Sequence, residues 1–420
     1  MRILLLKRIN VLLGAGLVSL LTLSLVIYPE DGVSAAVGGL KIFWEIVLPS
    51  LLPFFVLSEI MLGMGVVHFI GVLLEPLMRP LFNVPGVGAF ALSMGLAAGY
   101  PMDAVITGKF RRSRMCTKIE GERLLSFTNT ADPLFIFGAV AVGMFGRPDL
   151  GATLAIAHYI SSFTVGVIFK FYHYQDQPLK GDSKEEPCQE GIFRRAARAL
   201  FKARREDGRP FGRLMGDAVK ESMATLLMIG GFIMSFSVLV RIAAVFGILD
   251  MVTPAVGSIL KIFNISPDLA GSVFNGILEI DLGTIAASRA TAPLLDKAIV
   301  ASWVIAWSGL CVHGQVASVI HDTDIRMGPY VIARLLHGTF AAFYTWVLLG
   351  PLAPALAPAT RLVIPAGTKF NPLERISFTG RQQLIILGIL LFASLIIQLS
   401  KKYALIQTNT ERQDIGRQKN

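Results

Sequence analysis

The sequence predicts an all-α integral membrane protein of two inverted repeats, with re-entrant hairpins, broken helices and about eight spanning helices. Three observations predict it. The 420 residues are 53% hydrophobic and only 16% charged, with a mean hydropathy of +0.61, whereas soluble domains lie nearer ~25% charged. Several apolar stretches reach the ~20 residues that cross a ~30 Å hydrocarbon core. The two halves carry similar apolar segments, interrupted by Gly, Pro and polar residues at matching places.

Composition also narrows function. The net charge is +10, but Lys and Arg collect in loops, where they favour the cytoplasmic side of a bilayer. The expected partner is therefore lipid and not nucleic acid. Cys116, Cys188 and Cys311 are scattered, no CxxC occurs, and the six His show no HExxH spacing, so neither a disulfide framework nor a metal site is expected. There is no GxSxG or Walker A pattern, and "GAGLVSL" lacks the strand that a nucleotide loop follows. No catalytic residues and no cofactor are expected, and the chain does not read as an enzyme.

The elements follow in order. Residues 1–30 form the first transmembrane helix. Arg2, Lys7 and Arg8 precede an apolar run, Ile9 to Ile27, longer than the ~7–15 residues of a cleaved signal core. The helix is read as retained with its N-terminus inside, the alternative being cleavage near Ala35. Residues 31–171 form the first repeat. Within it 40–66 cross inward, 67–84 lie along the inner surface, and 85–108 are re-entrant. "KFRRSRMCTK" (Lys109–Lys118) is inside, 124–146 cross outward, and 150–171 return. Residues 172–213 are a basic loop in which Arg194, Arg195, Arg198, Lys202, Arg204 and Arg205 have helical spacing. It is either a regulatory or partner-binding loop or, the reading we adopt, a cytoplasmic loop whose basic helix lies on anionic lipid. Residues 214–350 form the second repeat, inverted because it starts inside: 216–240 cross outward, 266–288 are re-entrant, 296–318 cross inward and 327–350 outward. Residues 351–420 hold a loop, a last transmembrane helix at 382–399 and a basic tail. Arg361, Lys369, Arg375 and Arg381 run against this assignment, which places them outside.

The repeat rests on three matches in the same order. "LFNVPGVGAFALSMGLAAGYP" (Leu81–Pro101) falls on "IFNISPDLAGSVFNGILEIDLG" (Ile262–Gly283), "SFTNTADPLFIFGAVAVG" (Ser126–Gly143) on "SWVIAWSGLCVHGQVASV" (Ser302–Val319), and "AHYISSFTVGVIF" (Ala157–Phe169) on "ARLLHGTFAAFYT" (Ala333–Thr345). Paired interruptions of this kind point to a transporter site, because irregular backbone at membrane depth is tolerated only inside protein or beside a wet cavity.

Four broken stretches carry the candidate site. In "GLAAGYPMDAVITG" (Gly95–Gly108), Gly99-Tyr100-Pro101 stops one helix, and the half-helix that follows presents free N–H groups to an anion. Asp103 is either a site group or that helix's cap. In "SFTNTADPLFIFG", Asn129, Thr130 and Asp132 are polar groups that are costly at this depth unless they serve a cavity, while Asp132 before Pro133 also reads as an N-cap. In "GILEIDLGT", Glu279 and Asp281 lie two apart and share no helix face unless the chain is unwound. Glu279 is read as a cavity group that carries a proton or binds Na⁺, and Asp281 as a second such group or a cap. In "SGLCVHGQVASVIHD", Gly309 and Gly314 bracket His313, with Gln315 beside it. His313 is a titrating site residue or a structural hydrogen bonder.

"AAGYPMDA", "ERLLSFTNTADPLFIFGAVAVGMFG", "AHYISSFTVG", "GILEIDLG" and "GLCVHGQ" together resemble the sporulation integral membrane protein YlbJ (SpoVV) family, of the nucleoside-recognition, or gate-domain, group. The resemblance runs in order over roughly residues 40–350. It implies a multi-pass membrane transporter that moves a small anionic metabolite, dipicolinic acid, from the mother cell across the outer forespore membrane. It leaves open H⁺ or Na⁺ as coupling ion, and a homo-oligomer or other sporulation membrane proteins as partners. The alternatives are a cation-coupled nucleoside-type transporter and a non-transporting scaffold or gate partner of a sporulation complex.

Overall fold

The structure, a computed structural model, describes residues 2–175 and 191–353. It is helical throughout, with no strand among the described residues. Two helices open it, α1 (Arg2–Ile27) and α2 (Pro29–Ile42), bent by 105° between Ile27 and Pro29. Helix α2 runs through a π-helical turn (Phe43–Val47) into α3 (Leu48–Gly63). Gly65, at φ +80°, then turns the chain by 82° into α4 (Val66–Phe82). Asn83 ends α4 in the left-handed conformation, its N–H donating to the Arg79 carbonyl, a cap that Asn tolerates better than other side chains.

A hairpin follows, α5 (Gly88–Ala98) and α6 (Met102–Arg112), then α7 (Lys118–Thr128), a π-helix (Leu134–Met144) and α8 (Asp149–Phe169). Thr117 and Glu120 form a reciprocal capping box at the start of α7, which satisfies two otherwise orphaned N–H groups. Helix α9 (Ile192–Asp207) precedes the second set: α10 (Phe211–Val245), α11 (Ile248–Ile262), a 3-10 turn (Pro267–Leu269), the hairpin α12 (Ala270–Leu278) and α13 (Ile280–Arg289), the broken helix α14 (Leu294–Trp307) and α15 (Gly309–Ile320), and α16 (Met327–Leu349).

The order of elements recurs. Helix α11, like α4, is entered through a left-handed Gly (Gly247, φ +66°) and followed by a left-handed Asn (Asn264, φ 57°). Packing recurs too. Helix α6 of the first set packs on α15 of the second, and α13 of the second packs on the π-helix of the first, while the long helices α8 and α16 pack together. Each hairpin thus leans on the other set's broken helix, and residues beside the breaks line one cavity.

Among the described residues, four helices are long and apolar enough to cross a membrane, with α14 and α15 taken as one, or six if each bent pair is one span. The expected crossing 124–146 is broken at its polar run, as expected of it, into α7 (Lys118–Thr128) and the π-helix (Leu134–Met144), two 11-residue pieces, each shorter than the ~20 residues a single span needs. The expected last helix at 382–399 and the basic tail lie outside the described residues, as do residues 176–190 of the basic loop.

Candidate functional site

All four interruptions form, each for a local reason. Gly99 (φ +74°) and Pro101 separate α5 from α6, since only Gly enters that conformation without strain and Pro offers no N–H. Asp132 Oδ1 accepts the Phe135 N–H at 2.9 Å and so starts the π-helix. Glu279 stands extended between α12 and α13 (φ −148°, ψ 131°), its Oε2 accepting the Leu282 N–H at 2.8 Å. Ser308 and Gly309 are consecutive left-handed residues (φ 70° and 76°), which parts α14 from α15.

The breaks pack against one another. A Cβ on Gly99 would come within 2.7 Å of the Asp132 carboxylate, and one on Gly309 within 3.0 Å of the Glu279 backbone. The Tyr100 hydroxyl crosses to the other set and donates to the Ile305 carbonyl at 2.8 Å. Trp307 Nε1–H donates to the Ile277 carbonyl at 3.2 Å. Between them lies a cavity of about 360 Å³, in the size range of small-ligand sites. Tyr100, Asp132, Glu279, Asp281, Cys311 and Gln315 are its chief polar lining; Leu51, Phe135, Ile233 and Val312 are among its apolar walls. Among the described residues, no Lys or Arg lines it. Glu279 and Gln315 are 5% and 4% exposed. The Gln315 amide donates to Cys311 Sγ, at 3.4 Å.

Of the residues singled out in the sequence, Tyr100, Asp132, Glu279, Asp281 and Gln315 therefore surround one space. The others are placed behind it. Asp103 is fully buried and accepts from Asn129 Nδ2 at 2.7 Å and from the Thr128 hydroxyl at 3.1 Å. The Asn129 carbonyl oxygen of the side chain accepts from the Tyr330 hydroxyl at 2.8 Å. The Thr130 hydroxyl donates to the Thr128 carbonyl at 3.4 Å. His313 Nδ1–H donates to the Gly309 carbonyl at 2.8 Å, and its ring lies 4.3 Å from Trp307 and 5.0 Å from Tyr330. Gly99 is the turn against Asp132 already described.

The structure adds residues that sequence reading passed over. Arg334 of α16 is fully buried and donates to the main-chain carbonyls of Asn129 and, at 2.7 Å, of Ser126. It closes the C-terminal end of α7, where orphaned carbonyls concentrate negative potential. His158 Nε2 accepts the Ala131 N–H at 3.0 Å, and His337 Nε2–H donates to the His158 carbonyl at 2.9 Å. A signal was present: an ionisable residue within an apolar span is a functional or structural hub by default, and Arg334 is the one Arg inside α16.

The close crossing of α12 and α13 yields a first prediction. A Cβ on Gly283 would collide with the Gly276 backbone. Gly283→Ala is therefore expected to destabilise the protein by ~1–3 kcal/mol, as overpacking does. A lower melting temperature in detergent than that of the exposed-site control Gly216→Ala, where nothing lies within 4 Å, checks it; equal melting would refute it.

Comparison with known proteins gives two matches. Residues 44–174, from the π-helical turn before α3 to just past α8, match the family model described as Gate: Nucleoside recognition. Over 350 residues, 83% of this chain and 85% of that protein, the chain is 43% identical to the sporulation integral membrane protein YlbJ of Bacillus subtilis (strain 168). No solved structure matches.

Proposed function

The chain belongs to the family of the sporulation integral membrane protein YlbJ, and we propose that it is a transporter that moves dipicolinic acid, a small aromatic dicarboxylate, from the mother cell across the outer forespore membrane. The observation that carries the reading is the cavity where the four helix breaks meet. Irregular backbone at membrane depth needs such a space, and transporter sites form between discontinuous helices. The aromatic faces of Tyr100 and Phe135 and the Gln315 amide suit a flat polar ring. The free N–H groups at the half-helix starts are partly taken by Asp132 and Glu279 themselves. A dianion among three carboxylates would be repelled, so the cargo must enter with protons or with a balancing cation.

The same charge pattern favours a second reading. A cavity lined by acids and an amide, without Lys or Arg among the described residues, also suits a neutral cargo rich in hydroxyl and amino donors, such as a nucleoside. Uptake of labelled dipicolinate into proteoliposomes, beside a labelled nucleoside and protein-free vesicles, separates the two. Uptake of dipicolinate alone supports the first reading, of nucleoside alone the second, and of neither removes transport.

Transport by relative movement of the two sets would have to part the contacts at the end bearing residues 109–114. There Arg111 makes a two-pronged pair with Asp324, 2.7 and 3.0 Å, Arg112 meets Asp322 at 2.7 Å, and Arg326 meets Glu122 at 2.8 and 3.1 Å. Hydrogen bonding from Arg111 holds the Asp324 carboxyl below the usual carboxylate range. The pair's contribution is thus present above that range and lost as pH falls through the depressed value. The Arg111–Asp324 and Arg112–Asp322 pairs are partly exposed, so each adds only ~0–1 kcal/mol, whereas the third pair joins an exposed Arg326 to the buried Glu122; the role of all three is in setting which end is shut. Asp324→Arg is expected to change the uptake rate severalfold with little change in melting temperature. Arg111→Asp combined with Asp324→Arg should restore it; no restoration would count against the pair.

A further inference from the structure

We infer that the outer face of α9 is a docking surface for anionic phospholipid headgroups. Buried Ala196 and Ala203 mark the side that packs on α4 and α3; the Leu200 backbone lies directly against Gly65. At ~100° per residue, the opposite side carries Arg194, Arg198, Phe201 and Arg205, with Lys202 at its edge. All five are exposed. The acids of α9 are Glu206 and Asp207, and Asp207 is engaged by Arg204 and Arg209.

Two further observations choose the occupant. Phe193 and Phe201 are 63% and 68% exposed, and Phe211, at the start of α10, is 55% exposed. Aromatic rings interspersed with cations suit the boundary between headgroups and acyl chains, which hydrates the charges and takes up the rings. An acidic surface without apolar depth would satisfy only the charges. Height is set by α10. It has 35 residues, more than the ~20 that cross the core, and its first turns carry Arg213, Asp217, Lys220 and Glu221. Those turns extend beyond the hydrocarbon. Arg209 ties the end of α9 to them, pairing with Asp207 at 2.7 Å and Asp217 at 3.1 Å. The basic face is therefore held at headgroup level, where each cation is attracted to anionic lipid.

The test uses the full chain in nanodiscs of phosphatidylcholine alone or with phosphatidylglycerol. The wild-type melting temperature is expected to rise by several degrees with phosphatidylglycerol, and the rise to shrink in high salt. Arg194→Glu/Arg198→Glu/Arg205→Glu should melt at the same temperature in both lipids. An undiminished rise in the triple variant overturns the assignment. Should that variant fail to fold, trypsin access at Arg194, Lys202 and Arg205 of the wild type decides. Slower cleavage with phosphatidylglycerol supports the lipid surface. Equal cleavage in both lipids overturns it and leaves the face to an acidic protein segment.

Discussion

Glu279→Gln is expected to lower uptake by about tenfold or more, a barrier change of ~1.4 kcal/mol or above, while leaving the melting temperature close to that of the wild type. The two halves of this expectation have different causes. The carboxylate caps α13 through Leu282, and the glutamine amide oxygen can accept the same bond, so the cap survives. What glutamine cannot do is take up and release a proton or neutralise a cation beside the cargo. Glu279→Ala removes both functions, and its lost cap should add ~1 kcal/mol of destabilisation. Uptake and melting measured on the pair therefore separate the two roles. Wild-type uptake in the glutamine variant would reduce Glu279 to a helix cap. Asp281 provides the internal comparison. It lines the same cavity without capping a helix, so Asp281→Asn carries the charge change alone.

Much of this arrangement is legible in the residues, because breaking a helix in an apolar run requires visible chemistry. Gly99-Tyr100-Pro101, Asp132-Pro133 and the Glu279 acid each announce a turn that the structure forms. The break at Ser308 is less visible, since a serine in the left-handed conformation has no signature beyond the glycine that follows it. The π-helix Leu134–Met144 has no signature either; its apolar composition would serve an ordinary helix as well. The division of polar residues between the cavity and the packing behind it is not written locally at all. Asp103, Asn129 and Asp132 look alike as polar residues in greasy surroundings. What turns Asn129 away from the cavity is Tyr330 and Arg334, some two hundred residues further along, and only the packing of α16 against α7 and α8 brings them together. The same holds for Gln315, whose place in the cavity depends on how α15 leans on α6 and α10.

That buried assembly carries the largest expected effect on stability. Arg334→Met should destabilise the protein by ~3–5 kcal/mol, the range for removing one partner of a buried ionic group. It strips the donors from the Ser126 and Asn129 carbonyls and leaves the Asp103 carboxylate, joined to them through Asn129, without a cation in its network. Arg334→Lys keeps the charge but not the planar fork that reaches two carbonyls at once, so it should fall between wild type and Met. Pairing Arg334→Met with Asp103→Asn removes both charges. The double variant is then expected to be more stable than the two single losses sum to, with a coupling of ~0.5–3 kcal/mol. Thermal melting of the four proteins in one detergent measures that coupling, and simple additivity would mean that Arg334 acts on the α7 carbonyls alone. Because the assembly holds the stretch from Ser126 to Asn129 from the side of α16, loosening it should also displace Asp132. The Arg334→Lys variant, folded but imperfectly held, is accordingly expected to lose uptake out of proportion to its loss of stability.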